Sequence, residues 1–321
     1  VQFGPITAGR AQSFFDFYAN DFGFSTLRTA DSRLNLLAYT ATFGSGFSAT
    51  VSLEDRMTGT GGRENGVIYA VPAVIPAGTG LVAGINGQDF PDVVASLRVD
   101  QGWGSAQLSG AISSRRISGT GPLFSGTKEE MGYAIQGGVK INLPMLAAGD
   151  HLFLQAAYAD GAVGYLGWGG QFGSGRQLTG GAGQTQLTVA DFGVNTLGNT
   201  KSTTGWSLVA GLRHFWTPQL RSEIYGSYSE LKLGYNIAGI SAPGVAVRSL
   251  DPKEMIIAGN LIWSPVAGLD IGLEVLYVRT ELKQAVLAAN NSGVRAALAA
   301  GGKLVKSDDA IAGRFRIQRD F

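Results

Sequence analysis

Few side chains in this sequence have the chemistry of a catalyst. The 321 residues hold two histidines, His151 and His214, and no cysteine. Thiol catalysis, cysteine-ligated zinc and disulfides are excluded together, and two imidazoles do not build a histidine cage for a metal. A serine nucleophile needs a nearby base, so a hydrolase would have to use one of these two. No G-x-S-x-G elbow accompanies them. His151 opens an alternating segment and His214 stands beside Trp216, positions that suit a membrane interface better than catalysis. The glycine-dense run from Gly161 to Gly183 has no G-x-x-x-x-G-K and no helix pattern after it, so it reads as an external loop and not as a phosphate cradle. No catalytic residue, metal ligand or cofactor is expected.

The segment from Ala11 to Ser32 offers a different chemistry. Asp16, Asn20, Asp21 and Asp31 lie among Phe14, Phe15, Phe17, Tyr18, Phe22 and Phe24, six aromatic residues within eleven positions. Such a segment is costly in water. Folded inside a surrounding wall, it hides its rings and can present carboxylates to an aqueous lumen. The opposite wall should then be basic, and Arg98, Lys140, Arg213, Arg221, Arg314 and Arg316 all fall on the polar side of alternating segments. Acid facing base across a narrow gap makes a transverse field that orients polar solutes and sets ion preference, and low-dielectric walls focus it. Asp16, Asp21 and Asp31 are the expected acidic side of such a constriction, and the six bases its expected basic side.

The elements that must position these groups are strands. Val93, Ala95, Leu97 and Val99 alternate with Asp92, Ser96, Arg98 and Asp100, and Trp206, Leu208, Ala210 and Leu212 with Ser207, Gly211 and Arg213. Twelve strands are expected, near 1–10, 33–43, 47–56, 91–99, 105–115, 131–143, 151–160, 204–215, 219–230, 253–264, 269–280 and 309–321. Five short links alternate with six long ones, near 11–32, 57–90, 116–130, 161–203, 231–252 and 281–308. Outer-membrane barrels sort their loops in this way, with tight turns at one end and long loops at the other; a soluble sandwich has no reason to. Lipid cannot satisfy backbone amides, so a sheet that crosses it must close on itself. Tyr39, Phe43, Tyr133, Tyr158, Trp206, Trp216, Tyr228, Trp263, Tyr277 and Phe321 lie mostly near strand ends, where interfacial girdles sit.

Composition agrees. Forty-eight glycines are about twice the usual share, and 15% charged residues leave a thin charged coat. Twenty-five basic against 24 acidic side chains give no electrostatic case for nucleic acid. A transmembrane helix is excluded, because prolines and glycines interrupt Tyr69 to Ile85, and Asn290, Asn291 and Arg295 interrupt Ala285 to Ala300.

Several local sequences resemble a known family: Phe3-Gly4-Pro5-Ile6-Thr7-Ala8-Gly9-Arg10, the hairpin Phe43-Gly44-Ser45-Gly46-Phe47-Ser48-Ala49, the turn Gly102-Trp103-Gly104-Ser105, and the end Gly313-Arg314-Phe315-Arg316-Ile317-Gln318-Arg319-Asp320-Phe321. Along the whole chain they resemble a general porin of the alphaproteobacterial, Rhizobiales type. The resemblance implies a transmembrane antiparallel β-barrel in the Gram-negative outer membrane, acting as a passive diffusion channel for ions and small hydrophilic solutes. It also implies a homotrimer, contact with lipid bilayer and lipopolysaccharide, and recognition of Phe321 by the assembly machinery. In that family the barrel has sixteen strands and the constriction loop follows the fifth. Here the loop follows the first strand, so the chain is expected to hold strands 5–16, with the signal peptide and four strands lying before residue 1. A structural or adhesive barrel with a filled pore, or a membrane-embedded hydrolase using His151 or His214, are the alternatives.

Overall fold

The computed structural model describes residues 1–18, 22–24, 27–56, 67–70, 81–84, 89–121, 124–168, 171–172, 187–194, 199–234, 250–287 and 304–320. The period-2 segments form one antiparallel sheet in which each strand pairs with the next in sequence. Its members are β1 (Gln2–Phe3), β2 (Ile6–Gln12), β3 (Arg33–Gly44), β4 (Phe47–Asp55), β5 (Asp92–Gln101), β6 (Gly104–Gly121), β7 (Phe124–Asn142), β8 (His151–Asp160), β9 (Thr204–Thr217), β10 (Leu220–Lys232), β11 (Lys253–Val266), β12 (Leu269–Leu287) and β13 (Leu304–Arg319). β1 is a two-residue piece turned back on β2 at Gly4, whose φ of 55° suits glycine. The other twelve are the strands that alternation predicts.

Polarity across this sheet is inverted relative to a water-soluble fold. On β6, Leu108 and Ile112 are 53% and 50% exposed, while Ser109 and Ser113, each next along the strand, are buried. On β9, Leu208 and Trp206 point out while Ser207 and Val209 are covered. Apolar side chains outside and polar ones gathered inside are the arrangement of a sheet in a hydrocarbon solvent. Aromatic residues stand at two levels. Phe43, Phe47, Trp103, Trp216 and Trp263 are exposed near the short turns, and near the other end Tyr133 meets Tyr158 at 6.3 Å and Trp206 meets Tyr228 at 5.3 Å. Trp206 and Trp216 share β9. Ten residues at about 3.3 Å each, tilted by about 40°, separate the two belts by roughly 25 Å, the height of an outer-membrane apolar band. No helix of the described residues is long and apolar enough to cross a membrane; the crossing elements are strands.

The sheet is curved around the segment 13–32. Phe14 bonds Glu54 on β4, and Phe24 bonds Glu274 on β12. Ser109 on β6, Gln136 on β7, Gln155 on β8, Glu223 on β10, Glu254 on β11 and Arg314 on β13 bond the same short segment, so the wall bends around it and the segment lies on the concave side.

Two expected loops are corrected. At 116–130, β6 and β7 stay paired through Arg115↔Glu130, Arg116↔Glu129 and on to Gly121↔Phe124. Charged and polar residues interrupt the alternation here, and their partners lie elsewhere: Arg115 pairs with Asp191, Arg116 with Asp89, and Lys128 with Glu130, while Ile117 packs on Phe192 and Val194. At 281–308, β12 and β13 likewise stay paired as far as Leu287↔Leu304. Within 161–203, Val163–Leu166 forms a 3-10 turn, and Phe192–Val194 and Thr200–Ser202 join Val67–Ala70 and Leu81–Gly84 in a small four-stranded sheet. Most of the glycine run Gly161 to Gly183 beyond Trp168, and Phe321, lie outside the described residues.

Candidate functional site

The aromatic segment begins at a tied neck. The Ser13 N–H donates to the Ser32 carbonyl at 3.0 Å. Gln12 Nε2 donates to Asp31 at 3.1 Å and also to Asp16, and the Ser32 N–H donates to Asp16 at 2.9 Å. Ser13 Oγ and the Phe14 N–H donate to the Glu54 carboxylate at 2.7 and 3.1 Å. Leu34, Leu36 and Ala38, buried on the inner face of β3, pack against Ala11 and Phe14 below this neck.

Among the described residues beyond the neck, wall side chains take the place of ladder partners for the backbone. Ser109 Oγ and Gln136 Nε2 donate to the Phe15 carbonyl at 2.7 and 2.8 Å. The Tyr18 N–H donates to Gln155, the Gly23 N–H to Glu223 and the Phe24 N–H to Glu274, at 2.9, 2.8 and 2.6 Å. Three loop rings sit where the wall has no side chain. A Cβ added to Gly138, Gly211 or Gly272 would lie 2.3, 2.4 or 2.6 Å from the ring of Phe17, Phe22 or Phe24. Such contacts are sterically closed, so part of the glycine excess is explained as sockets for this loop. Tyr18 and Phe22 complete a buried cluster with Phe153 and Tyr225.

All six bases expected in the lumen lie on the concave side. Arg98 pairs with Asp100 at 2.8 Å and its guanidinium lies 5.5 Å from the Phe17 ring centre. Lys140 stands 5.5 Å from the Phe153 ring. Arg213 pairs with Glu223 at 2.6 Å and lies over Phe22. Arg221 pairs with Asp270 at 2.6 Å. Arg314 donates to the Phe24 carbonyl at 2.6 Å, and Arg316 lies 5.1 Å from the Phe24 ring. These residues bound two cavities beside the loop tip. One, of about 420 Å³, includes Phe17, Arg98, Asp100, Lys140 and Phe153; the other, of about 210 Å³, includes Phe24, Arg213, Arg221, Asp270 and Arg316.

The acids are arranged otherwise than a gap of acid facing base would require. Asp16 is buried and Asp31 half-buried at the neck, the long-loop end of β2 and β3, whereas the bases lie in the short-turn halves of their strands. Among the described residues, the loop groups that lie beside these bases are the rings of Phe17, Phe22 and Phe24. Asp21 lies outside the described residues.

Several site residues were not singled out from sequence. Glu54, Glu223, Glu254 and Glu274 hold the loop, and each is a carboxylate on the polar face of a strand, which was the available signal. Arg28 joins three parts. Its Nε and Nη2 bond Glu254 at 2.8 and 3.1 Å, its Nη1 bonds the Gly167 carbonyl at 2.6 Å, and its guanidinium lies 3.9 Å from the Trp168 ring centre. Residues 161–168 thereby pack onto the aromatic segment, with Tyr165 4.6 Å from Phe15. Deeper ion pairs, Arg56–Asp92 at 3.0 Å and Arg115–Asp191 at 2.7 Å, share Ser113. His151 is corrected from an interfacial to an inward position: it is buried and stacked on Phe22, and its Nδ1 meets the Gly149 carbonyl. His214 does face the rim, edge-on to Trp216 and paired with Asp150 at 2.6 Å. Among the described residues neither imidazole has a serine hydroxyl as its hydrogen-bond partner.

No curated protein matches the sequence. Among solved structures, the chain is similar to the outer membrane channel DcaP of Acinetobacter baumannii, with a TM-score of 0.60 at 14% identity over 97% of this chain and 72% of that one. It is also similar to an anion-selective porin from Comamonas acidovorans, with a TM-score of 0.47 at 13% identity over 91% of this chain and 61% of that one. The likeness to DcaP shows the fold. Residues 1–302 match the family described as the porin subfamily, and with that match the inside-out curved sheet has its place: the chain belongs to the porin subfamily and is a porin-type channel of the outer membrane.

Proposed function

We propose that the chain is a passive, water-filled diffusion channel of the alphaproteobacterial general-porin kind, in which ions and small hydrophilic solutes pass without a covalent step or a cofactor. The observation that carries this reading is the aromatic segment lying on the concave side of a wall that is polar inside and apolar outside. Water on the concave side and lipid on the convex side is the arrangement that leaves neither face costly. In this reading residues 11–32 narrow the passage. Asp16 shapes the neck, Asp31 contributes acidic charge there, and Arg98, Lys140, Arg213, Arg221, Arg314 and Arg316 form the basic side.

A homotrimer is part of the proposal, supported by outward positions on β6 where small Ala106 and Gly110 alternate with Leu108 and Ile112. Lipopolysaccharide would border the exposed belt, and Phe321 would be read by the assembly machinery. Liposome swelling tests the diffusion reading. Neutral sugars should enter at rates that fall with their size, and a folded, inserted protein that admits none of them would refute it.

A further inference from the structure

The charges beside the loop tip do not cancel. In the larger cavity Arg98 and Lys140 face one carboxylate, Asp100. In the smaller one Arg213, Arg221 and Arg316 face two, Glu223 and Asp270. Arg314 and Glu274 oppose each other across β12 and β13 and add nothing net. The remaining lining is neutral: Gln101, Ser105 and Asn142 in the first cavity, Gln318 in the second. Among the described residues each cavity therefore holds one cation in excess. Lys140 and Arg316 make no hydrogen bond or ion pair among the described residues; each has an aromatic ring at its side, Phe153 for Lys140 and Phe24 for Arg316. They belong to one continuous strip across the strands: Lys140 pairs across to Phe153, His151 to Arg213, Arg213 to Glu223, Arg221 to Ile262, Ile262 to Gly272, and Gly272 to Arg316.

We propose that these two cavities are binding stations for small oxyanions, carboxylate or phosphate, held between the uncompensated cations Lys140 and Arg316 and the loop's aromatic edge, and that they make the channel prefer anions. The proposal rests on the diffusion-channel reading and adds to it the class of solute. A cation on an aromatic shelf keeps its charge and is partly desolvated, with donors left free for a solute. Low-dielectric walls focus the field of such groups along the lumen. A unit charge passing about 7 Å from one of them in water gains roughly a factor of two to three in occupancy over a neutral solute, and the factors multiply for a solute within reach of both.

The test is reversal potential across planar bilayers in a tenfold KCl gradient, using the native protein. Wild type should favour chloride over potassium. Lys140→Gln with Arg316→Gln should lower that ratio about fourfold or more, and should also abolish the fall in chloride current that added inorganic phosphate causes in wild type. Lys128→Gln with Lys283→Gln removes two cations outside the cavities and should leave the ratio unchanged. Conducting channels that prefer potassium, a ratio insensitive to Lys140 and Arg316, or an equal shift from the outer pair would overturn the anion stations while leaving the channel intact. Folded, inserted protein that never conducts would instead remove the channel reading on which they rest. Lys140→Glu, a second variant at the same site, should move the ratio further in the same direction if the first folds poorly.

Discussion

Replacing Arg28 by alanine should loosen the constriction without dissolving the wall. Arg28 bonds the loop both to β11 and to residues 161–168, with its side chain 10% exposed and that of Glu254 1% exposed. Alanine removes a two-pronged contact with Glu254, the bond to the Gly167 carbonyl and the stack on Trp168. Thr280 Oγ1 still donates to Glu254 at 3.3 Å, but a neutral donor does not replace the charge of the guanidinium. Breaking one partner of a buried pair costs about 3–5 kcal/mol. At about 1.4 kcal/mol per factor of ten, that raises the population of displaced loop by roughly two to three and a half orders of magnitude. The assay is open-channel current noise together with melting in detergent. Arg28→Ala should flicker between conductance levels and melt earlier. Arg28→Met with Glu254→Gln, which removes both charges, should recover most of the melting temperature. An Arg28→Ala protein with wild-type noise and wild-type melting would refute the latch.

Gly211→Val should push Phe22 from its socket, because even a Cβ there lies 2.4 Å from the ring; overpacking of this kind costs about 1–3 kcal/mol, and an unchanged single-channel conductance would show the ring is not seated as described. Leu208→Arg places a charge on the outward face of β9, at a cost of about 2–4 kcal/mol near mid-membrane, and refolding into lipid vesicles that is as efficient as wild type would contradict the assigned face. Burial pushes the Asp150 carboxyl up, but hydrogen bonds from His214 and the Phe215 N–H outweigh it and hold it below the ordinary carboxylate range. A depressed folded value stabilises above the unfolded one and is lost as pH falls through it. Asp150→Ala should therefore melt below wild type at pH 7, and the gap should narrow below about pH 4; a gap of equal size at both pH values would refute the linkage. Cross-linking in mild detergent should give a three-rung ladder, and one that stops at monomer would remove the trimer.

Much of the wall was legible because period-2 alternation is a local signal. Val93 to Val99 and Trp206 to Leu212 declare their outward faces without knowledge of any neighbour. The extensions of β6 and β7 were not legible, since Arg115, Arg116, Glu129 and Glu130 gain their order from pairing across strands, which no single segment records. The aromatic segment could be recognised as something that must be hidden, yet its seating could not. Alternation assigns Glu223, Glu274 and Gly211 to the inner face but says nothing of their height, and the loop meets them through contacts about 200 residues apart or more. Asp16 looked like a lumen carboxylate because its residue type allows it; the neck consumes it through Gln12 and Ser32. His151 was misplaced for a related reason. The first residue of a strand belongs to either face until its partner, here Arg213, is known.

The central claim is that water runs through the concave side of this wall past the loop. Current across a planar bilayer holding the native protein at low density tests it most directly. The account predicts discrete upward steps of equal size as molecules insert, with conductance that rises with bulk salt. Protein shown by protease protection to be folded and inserted, yet giving a flat baseline at every salt concentration, would contradict it and make this a filled structural barrel.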